Sequence, residues 1–437
     1  MIDKFISMTE VLAYLKAEDI SDIEERATII QSFLDKDIQK GIGNAYDRYL
    51  EKGAATTATV VTPVPRSSKE CIMWTVNHYL SLNRNETVIE KAHQAMRQFG
   101  TGCGTSAVSC GMNALHKEIE TRVAKMVGKE QAVLYPTGFT ANIGAINGLV
   151  GERDLILLDG ECHSSIINGS RLTSAKKIVF RHNDVSDLEK KLKKYGKAFE
   201  NVFVIVESAY SMSGDVSPLK EIVALKKAHR FYLYVDEAHT FGFYGDKGQG
   251  YCYEQGLTDQ VDFIMSTLSK ATASIGGFLA SDQRYCSLVR WTPTYMFQAC
   301  LTPQDAGVIL ACLDEIESHP EMIKELHEKN QYMRRLLKER KFNLGQSQSP
   351  IIPIMIPSPM KLLMVVDDLC KEGIYSTPIL YPAVAKHEGR IRLILNLAHT
   401  KEQIDYTVDT LEKICKKHDA PCFIDDNKPQ YQAESHW

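Results

Sequence analysis

The chain lacks any apolar run approaching the roughly 18 residues a membrane-spanning helix needs. It also lacks an excess of one charge. With 51 basic and 55 acidic residues among 437, its net charge of −4 gives no electrostatic reason to expect nucleic acid or an anionic membrane as partner. Paired cysteines are missing too. The 11 cysteines are odd in number and scattered, with no Cys-x-x-Cys, which argues against a disulfide framework or a thiolate zinc site and for reduced thiols in a cytoplasm. No metal site is expected. Asp3, Glu10, Glu18 and Asp19 make the first 20 residues too acidic for a signal or transit peptide. There is no internal repeat and no low-complexity tract.

What is present is an ordinary globular mix, 44% apolar and 24% charged, long enough for two or three domains. Residues 1–65 read as a helical arm and a linker: Ile20 to Glu25 resembles a capped helix start, and Ala54 to Pro65 is rich in Thr, Val and Pro. Across 66–310, short apolar runs alternate with helical patterns. Strands are expected at Ala132 to Tyr135, Leu155 to Leu158, Lys177 to Phe180, Val202 to Val206, Tyr232 to Val235, Phe263 to Met265 and Gly277 to Ala280. Such alternation predicts an α/β domain with a mostly parallel central sheet covered on both faces. Residues 311–424 predict a smaller α+β domain: one long helix from Glu315 to Lys341, strands at Ile351 to Ile356 and Arg390 to Leu395, and a last helix from Lys401 to Lys417. Residues 425–437 read as a tail.

Ligands of open α/β sheets bind at the carboxyl ends of the strands. Here those ends carry Asp159 and then His163, Glu207 to Ser211, Asp236 to His239, and Ser266 to Lys270. Singly, an Asp after a strand is commonly a turn cap and a Lys a solvated charge. Together they place carboxylates, two imidazoles and an amine on one rim.

Asp236-Glu237-Ala238-His239, the glycines 242, 245, 248 and 250, Thr267-Leu268-Ser269-Lys270 and Gly276-Gly277 resemble the α-oxoamine synthases, over roughly residues 70–415. These are fold-type I enzymes of pyridoxal 5'-phosphate (PLP) that join an amino acid to an acyl thioester with loss of carbon dioxide. The glycine-rich run 100–104 follows a helical pattern, not a strand, and is not read as a dinucleotide fingerprint. The resemblance implies roles residue by residue. Lys270 matches the lysine that holds the cofactor covalently and then acts as base at Cα. Asp236 matches the carboxylate that keeps the ring nitrogen protonated. His163 matches the imidazole over the ring face, and His239 the one bonded to the phenolic oxygen. Gly138 and Phe139 match the phosphate-binding turn at a helix start. Ser211 and Thr267 match hydroxyls around the phenolic oxygen and the phosphate. Arg392 matches the arginine that clamps the substrate carboxylate, and Asn77 a residue beside it.

The implied product is an α-amino ketone, made from an amino acid and an acyl thioester on coenzyme A or an acyl carrier protein. The segments Leu157 to Leu172, Ser269 to Ser274 with Gly276 to Phe278, and Ser349 to Pro353 look most like the bacterial serine palmitoyltransferase branch. Phe297 to Pro303 matches a stretch that reaches the partner's phosphate site, implying a homodimer. The chain departs from the family at Ala107, where an arginine is usual, at Cys110, where Asn is usual, and at Ser81, where Gly is usual. A different amino acid in specialised metabolism, another fold-type I reaction such as transamination, and a non-catalytic subunit stay open; intact Lys270, Asp236 and His163 argue against the last.

Overall fold

The computed structural model describes residues 8–39, 48–62, 66–381 and 383–424. The expected tail, 425–437, lies outside the described residues. At the N-terminus, helices Met8–Ala17 and Ile23–Gln39 pack on each other through Val11, Leu15 and Phe33. Asp22 starts the second by accepting from the Glu25 amide at 2.8 Å.

The expected linker is corrected by the structure. β1 (Tyr49–Leu50), β2 (Thr57–Thr62) and β3 (Ser67–Met73) form an antiparallel ladder, with Thr57 opposite Ile72 and Thr62 opposite Ser67. The run Thr-Ala-Thr-Val-Val-Thr, rich in β-branched residues, favours a pleated surface over coil.

The central sheet contains β4 (Gln131–Tyr135), β5 (Leu155–Asp159), β6 (Lys176–Phe180), β7 (Val202–Glu207), β8 (Tyr232–Asp236), β9 (Phe263–Thr267) and β10 (Gly277–Ser281). Their spatial order is β4-β10-β9-β8-β7-β5-β6. β10 runs antiparallel to both neighbours and the other pairs are parallel. Alternate residues serve opposite faces. Val202, Val204 and Val206 join one core and Phe203 and Ile205 the other, so the strands read as unbroken apolar runs.

The C-terminal part holds β11 (Ile351–Met355), β12 (Ile374–Tyr375), β13 (Thr377–Ile379) and β14 (Arg390–Ile394), with helices Pro359–Lys371 and Lys401–Lys417. β14 lies between β11 and β13, while β12 adds parallel to β3 and ties this part to the N-terminal ladder. The single helix expected over Glu315 to Lys341 is two, Pro303–Ser318 and Glu321–Glu339. The break falls at His319 and Pro320, because proline has no amide hydrogen and disfavours helical geometry in the residue before it. The first of these helices crosses the domain boundary expected at 310.

Candidate active site

Parallel β5, β7, β8 and β9 deliver Asp159, Glu207, Asp236 and Thr267 to one edge of the sheet, in register: Glu207 lies opposite Asp236, and Gly277 opposite both Thr267 and Tyr135. Just past these ends come His163, His239 and Lys270. Eight of the ten expected site residues gather on or just beyond this edge. The other two, Asn77 and Arg392, arrive from the N-terminal ladder and from β14. Two backbone bonds lock those together: Ile394 N–H donates to the Trp74 carbonyl at 2.8 Å and Leu397 N–H to that of Tyr79 at 2.7 Å.

Asp236 is buried. It accepts from Asn142 Nδ2 at 2.7 Å and from the Ala238 amide at 2.9 Å. Lys270 is half-buried, and desolvation lowers its pKa to about 8 against the upward pull of Asp236 and Glu207, with Arg392 pushing further down. An ordinary lysine would hold its proton far more tightly. His163 caps helix Ser164–Arg171 and is exposed to the cleft, edge-on to Phe139 at 6.3 Å between ring centres. Desolvation, then the charge of Lys270, lowers its pKa against Asp236.

His239 is fully enclosed. Its Nδ1 lies 2.7 Å from the hydroxyl of Tyr79, and burial with the positive charges of Lys270 and Arg392 holds the ring neutral. Burial likewise keeps the Tyr79 hydroxyl protonated. Helix Gly138–Leu149 starts with Thr137 accepting from the Thr140 amide at 3.0 Å. Its first-turn amides, Gly138 and Phe139 included, have no partner within the helix, and Phe139 is exposed. A Cβ on Gly138 would sit 2.7 Å from Thr267 Cβ, and one on Gly277 would sit 2.6 Å from Gly138 Cα. Only glycine lets this turn close on β9 and β10.

The two arginines of β14 part company. Arg390 is paired with Glu388 at 3.0 Å. Arg392 has no carboxylate partner among the described residues: its Nη1 donates to the Ser211 carbonyl at 3.1 Å, and its Nε and Asn77 Oδ1 are buried without a hydrogen-bond partner. Ser211 thus meets Arg392 through its backbone.

This donor set fits PLP. A helix start suits a phosphate, a buried carboxylate suits a protonated ring nitrogen, and an amine of lowered pKa suits an aldehyde. The orphaned Arg392 Nε is a donor without an acceptor, which a carboxylate would satisfy. Several participants escaped the motif reading. Asn142, Tyr234 and Ser165 surround Asp236 and His163, and Glu207 accepts from the His163 amide. A polar residue on the sheet-facing side of a helix just after a glycine turn was the available signal for Asn142. The glycines at 242–250 wrap a buried carboxylate. Gly250, at φ +104°, leaves no space for a Cβ beside Glu237, which accepts from the Tyr251 and Cys252 amides at 3.0 and 2.6 Å.

Residues 69–411 match the family described as aminotransferase class I and II, and the chain belongs to it. Its relatives include the serine palmitoyltransferase of Bacteroides thetaiotaomicron, 39% identical over 82% of this chain and 91% of that protein. The 8-amino-7-oxononanoate synthase of Thermoanaerobacter pseudethanolicus is 32% identical over 81% of this chain and 90% of its own length. Among solved structures, Sphingomonas wittichii serine palmitoyltransferase superposes with a TM-score of 0.86 at 28% identity, covering 91% of this chain and 99% of its own. A high-resolution SPT structure that carries PLP gives a TM-score of 0.85, also at 28% identity, covering 91% of this chain and 99% of that one.

Proposed function

We propose that this chain is a PLP-dependent α-oxoamine synthase of the serine palmitoyltransferase kind. It condenses an amino acid with an acyl thioester, releasing carbon dioxide and the thiol and leaving an α-amino ketone. The observation that carries the reading is the convergence of Lys270, Asp236 and His163 on one rim with Arg392, an arginine that meets no carboxylate among the described residues.

PLP, when bound, supplies a ring that takes up the electrons of a broken bond at Cα. The residues do the rest. The helix start at Gly138 and Phe139, with Thr267, would hold the phosphate. Asp236 would keep a proton on the ring nitrogen. His163 would cover the ring, and neutral His239, with the Ser211 hydroxyl, would serve the phenolic oxygen. Arg392 and Asn77 orient the substrate carboxylate. Lys270, with a pKa of about 8, is part deprotonated near neutral pH, so its Nζ can take the α-proton. The new carbon–carbon bond forms at the thioester carbonyl as the thiol leaves.

The active unit is a homodimer in this reading. Trp291 and Phe297, 76% and 78% exposed, are aromatic surface of the kind a partner covers. Among the described residues no helix is long and apolar enough to cross a membrane. The thioester comes on coenzyme A or on an acyl carrier protein. Adding single amino acids to the loaded protein and recording its visible spectrum identifies the one that binds. Acyl thioesters are then tried with it. Ketone and carbon dioxide formed only when the thioester is present support the reading, and amino-group transfer without thioester contradicts it.

A further inference from the structure

Beneath the rim lies a hydrogen-bonded chain whose direction can be worked out atom by atom. Asn142, Ser165 and Tyr234 are each 1% exposed, so every polar hydrogen there needs a partner. Asn142 sits one turn into helix Gly138–Leu149. One atom of its amide is 2.7 Å from Asp236 Oδ2 and 2.9 Å from Ser165 Oγ, and the other is 2.8 Å from the Tyr234 hydroxyl. A carboxylate only accepts, so the atom facing Asp236 is the NH₂ group. Its two hydrogens go to Asp236 and Ser165, and its oxygen accepts from Tyr234.

Ser165 Oγ therefore accepts from Asn142, and its own hydrogen is left to donate. The atom that receives it is His163 Nδ1, 2.7 Å away. The Ser165 backbone amide points at the same nitrogen from 3.2 Å. Two donors converge on Nδ1, so it carries a lone pair, and the single proton of the neutral ring is on Nε2. The lowered pKa of His163 agrees with a neutral ring. On the far side, the Glu207 carboxyl accepts from the His163 backbone amide and fixes the main chain from which the ring hangs.

We propose that Asn142 and Ser165 are positioning residues that set His163 as its Nε2–H tautomer and tie the imidazole rigidly to the Asp236 carboxylate. The two groups assigned to the face and the nitrogen of the cofactor ring are thereby held by one amide. This rests on the functional reading above. The tautomer is a property of the chain's own hydrogens and can be read with and without cofactor.

Ser165→Ala removes the hydroxyl and Ser165→Thr keeps it. Nitrogen-15 ring spectra of the purified cofactor-free protein, with His163 assigned by its disappearance in His163→Asn, report the tautomer. The parent and Ser165→Thr should show protonation at Nε2 alone, and Ser165→Ala a mixture of tautomers. PLP titrations should give binding about tenfold weaker for Asn142→Ala and Ser165→Ala, with Ser165→Thr near the parent. Tyr234→Phe, which leaves the amide NH₂ in place, covers the case of an unfolded Asn142→Ala; it should weaken PLP binding less than Ser165→Ala. A parent His163 protonated at Nδ1 overturns the proposal. So does a Ser165→Ala protein with the parent's tautomer and PLP affinity. Failure of the parent to bind PLP at all would count against the functional reading and leave the tautomer result standing.

Discussion

Asp236→Asn separates the charge of the site from its shape. The side chain keeps its size, but the present carboxylate accepts on both oxygens, from Asn142 Nδ2 and from the Ala238 amide. Asparagine has one acceptor, so its own NH₂ must face one of these donors. A buried donor without an acceptor costs about 1–3 kcal/mol, so the variant should melt earlier yet remain folded. The electrostatic effect is larger for catalysis. Asp236 raises the pKa of Lys270 and of His163; without its charge both fall, Lys270 from about 8 to lower values. More important, an amide cannot hold a proton on the cofactor's ring nitrogen. We predict a loss of 10²-fold or more in turnover, on the order of 3 kcal/mol or more of barrier. PLP should still load, because the phosphate turn and Lys270 are untouched. The assay is steady-state ketone formation beside a cofactor titration and a melting curve. Turnover within a few-fold of the parent, in a protein that loads PLP fully, would refute the role given to Asp236.

Ala107 opens a single turn of tight helix, half-buried against the core that contains Tyr135 and Tyr295, and lines a cleft with Met112, His116 and Cys300. Ala107→Arg should leave PLP bound and change the ratio of kcat/KM between short and long acyl thioesters by at least about threefold; unchanged ratios would show that position 107 takes no part in selection. Ser81 stands at φ +55°, a left-handed conformation that explains the glycine usual there, and its hydroxyl accepts from the Ala398 amide at 3.2 Å. Ser81→Ala keeps the strain and loses the bond, whereas Ser81→Gly loses the bond and relieves the strain. The glycine variant should therefore be more stable in urea than the alanine variant by about 1–2 kcal/mol, and the reverse order would contradict the strain. His182 bridges buried Asp159 and Asp215 at 2.7 and 2.8 Å; burial alone would lower its pKa, but the two carboxylates raise it to about 11. His182→Asn should cost about 3–5 kcal/mol by leaving the carboxylates uncompensated. The raised imidazole stabilises fully below its ordinary value of 6.5 and loses this as pH climbs toward 11, while depressed Asp215 stabilises above its ordinary 3.8 and loses this as pH falls. The melting difference should thus peak between about pH 4 and 6.5, and a difference growing toward pH 10 would overturn the assignment.

The sequence made the central sheet legible because its strands are buried on both faces. Val202 to Val206 and Tyr232 to Val235 need no amphipathic phase to be seen, and polar residues mark where each strand stops. Elements whose identity depends on distant partners were harder. β2 resembled a linker because Thr and Pro surround it, and only its pairing with β3 makes it a strand. The charge-rich stretch from Glu315 onward read as one helix, although Pro320 held the information to divide it. In the site, residues with reactive groups could be picked out by type and order along the chain. Asn142 could not. Its importance lies in which hydrogens it gives to Asp236 and Ser165, and these lie 94 and 23 positions away. His182 stayed hidden for the same reason, since its carboxylate partners come from β5 and from the loop after β7.

The central claim is that Lys270 is the residue that carries PLP. Borohydride reduction of the loaded protein followed by peptide mass analysis fixes the cofactor wherever it is covalently held. The account predicts one adduct, on the peptide containing Lys270, and none in Lys270→Ala. An adduct on another lysine, or none in the parent after saturation with PLP, would contradict it.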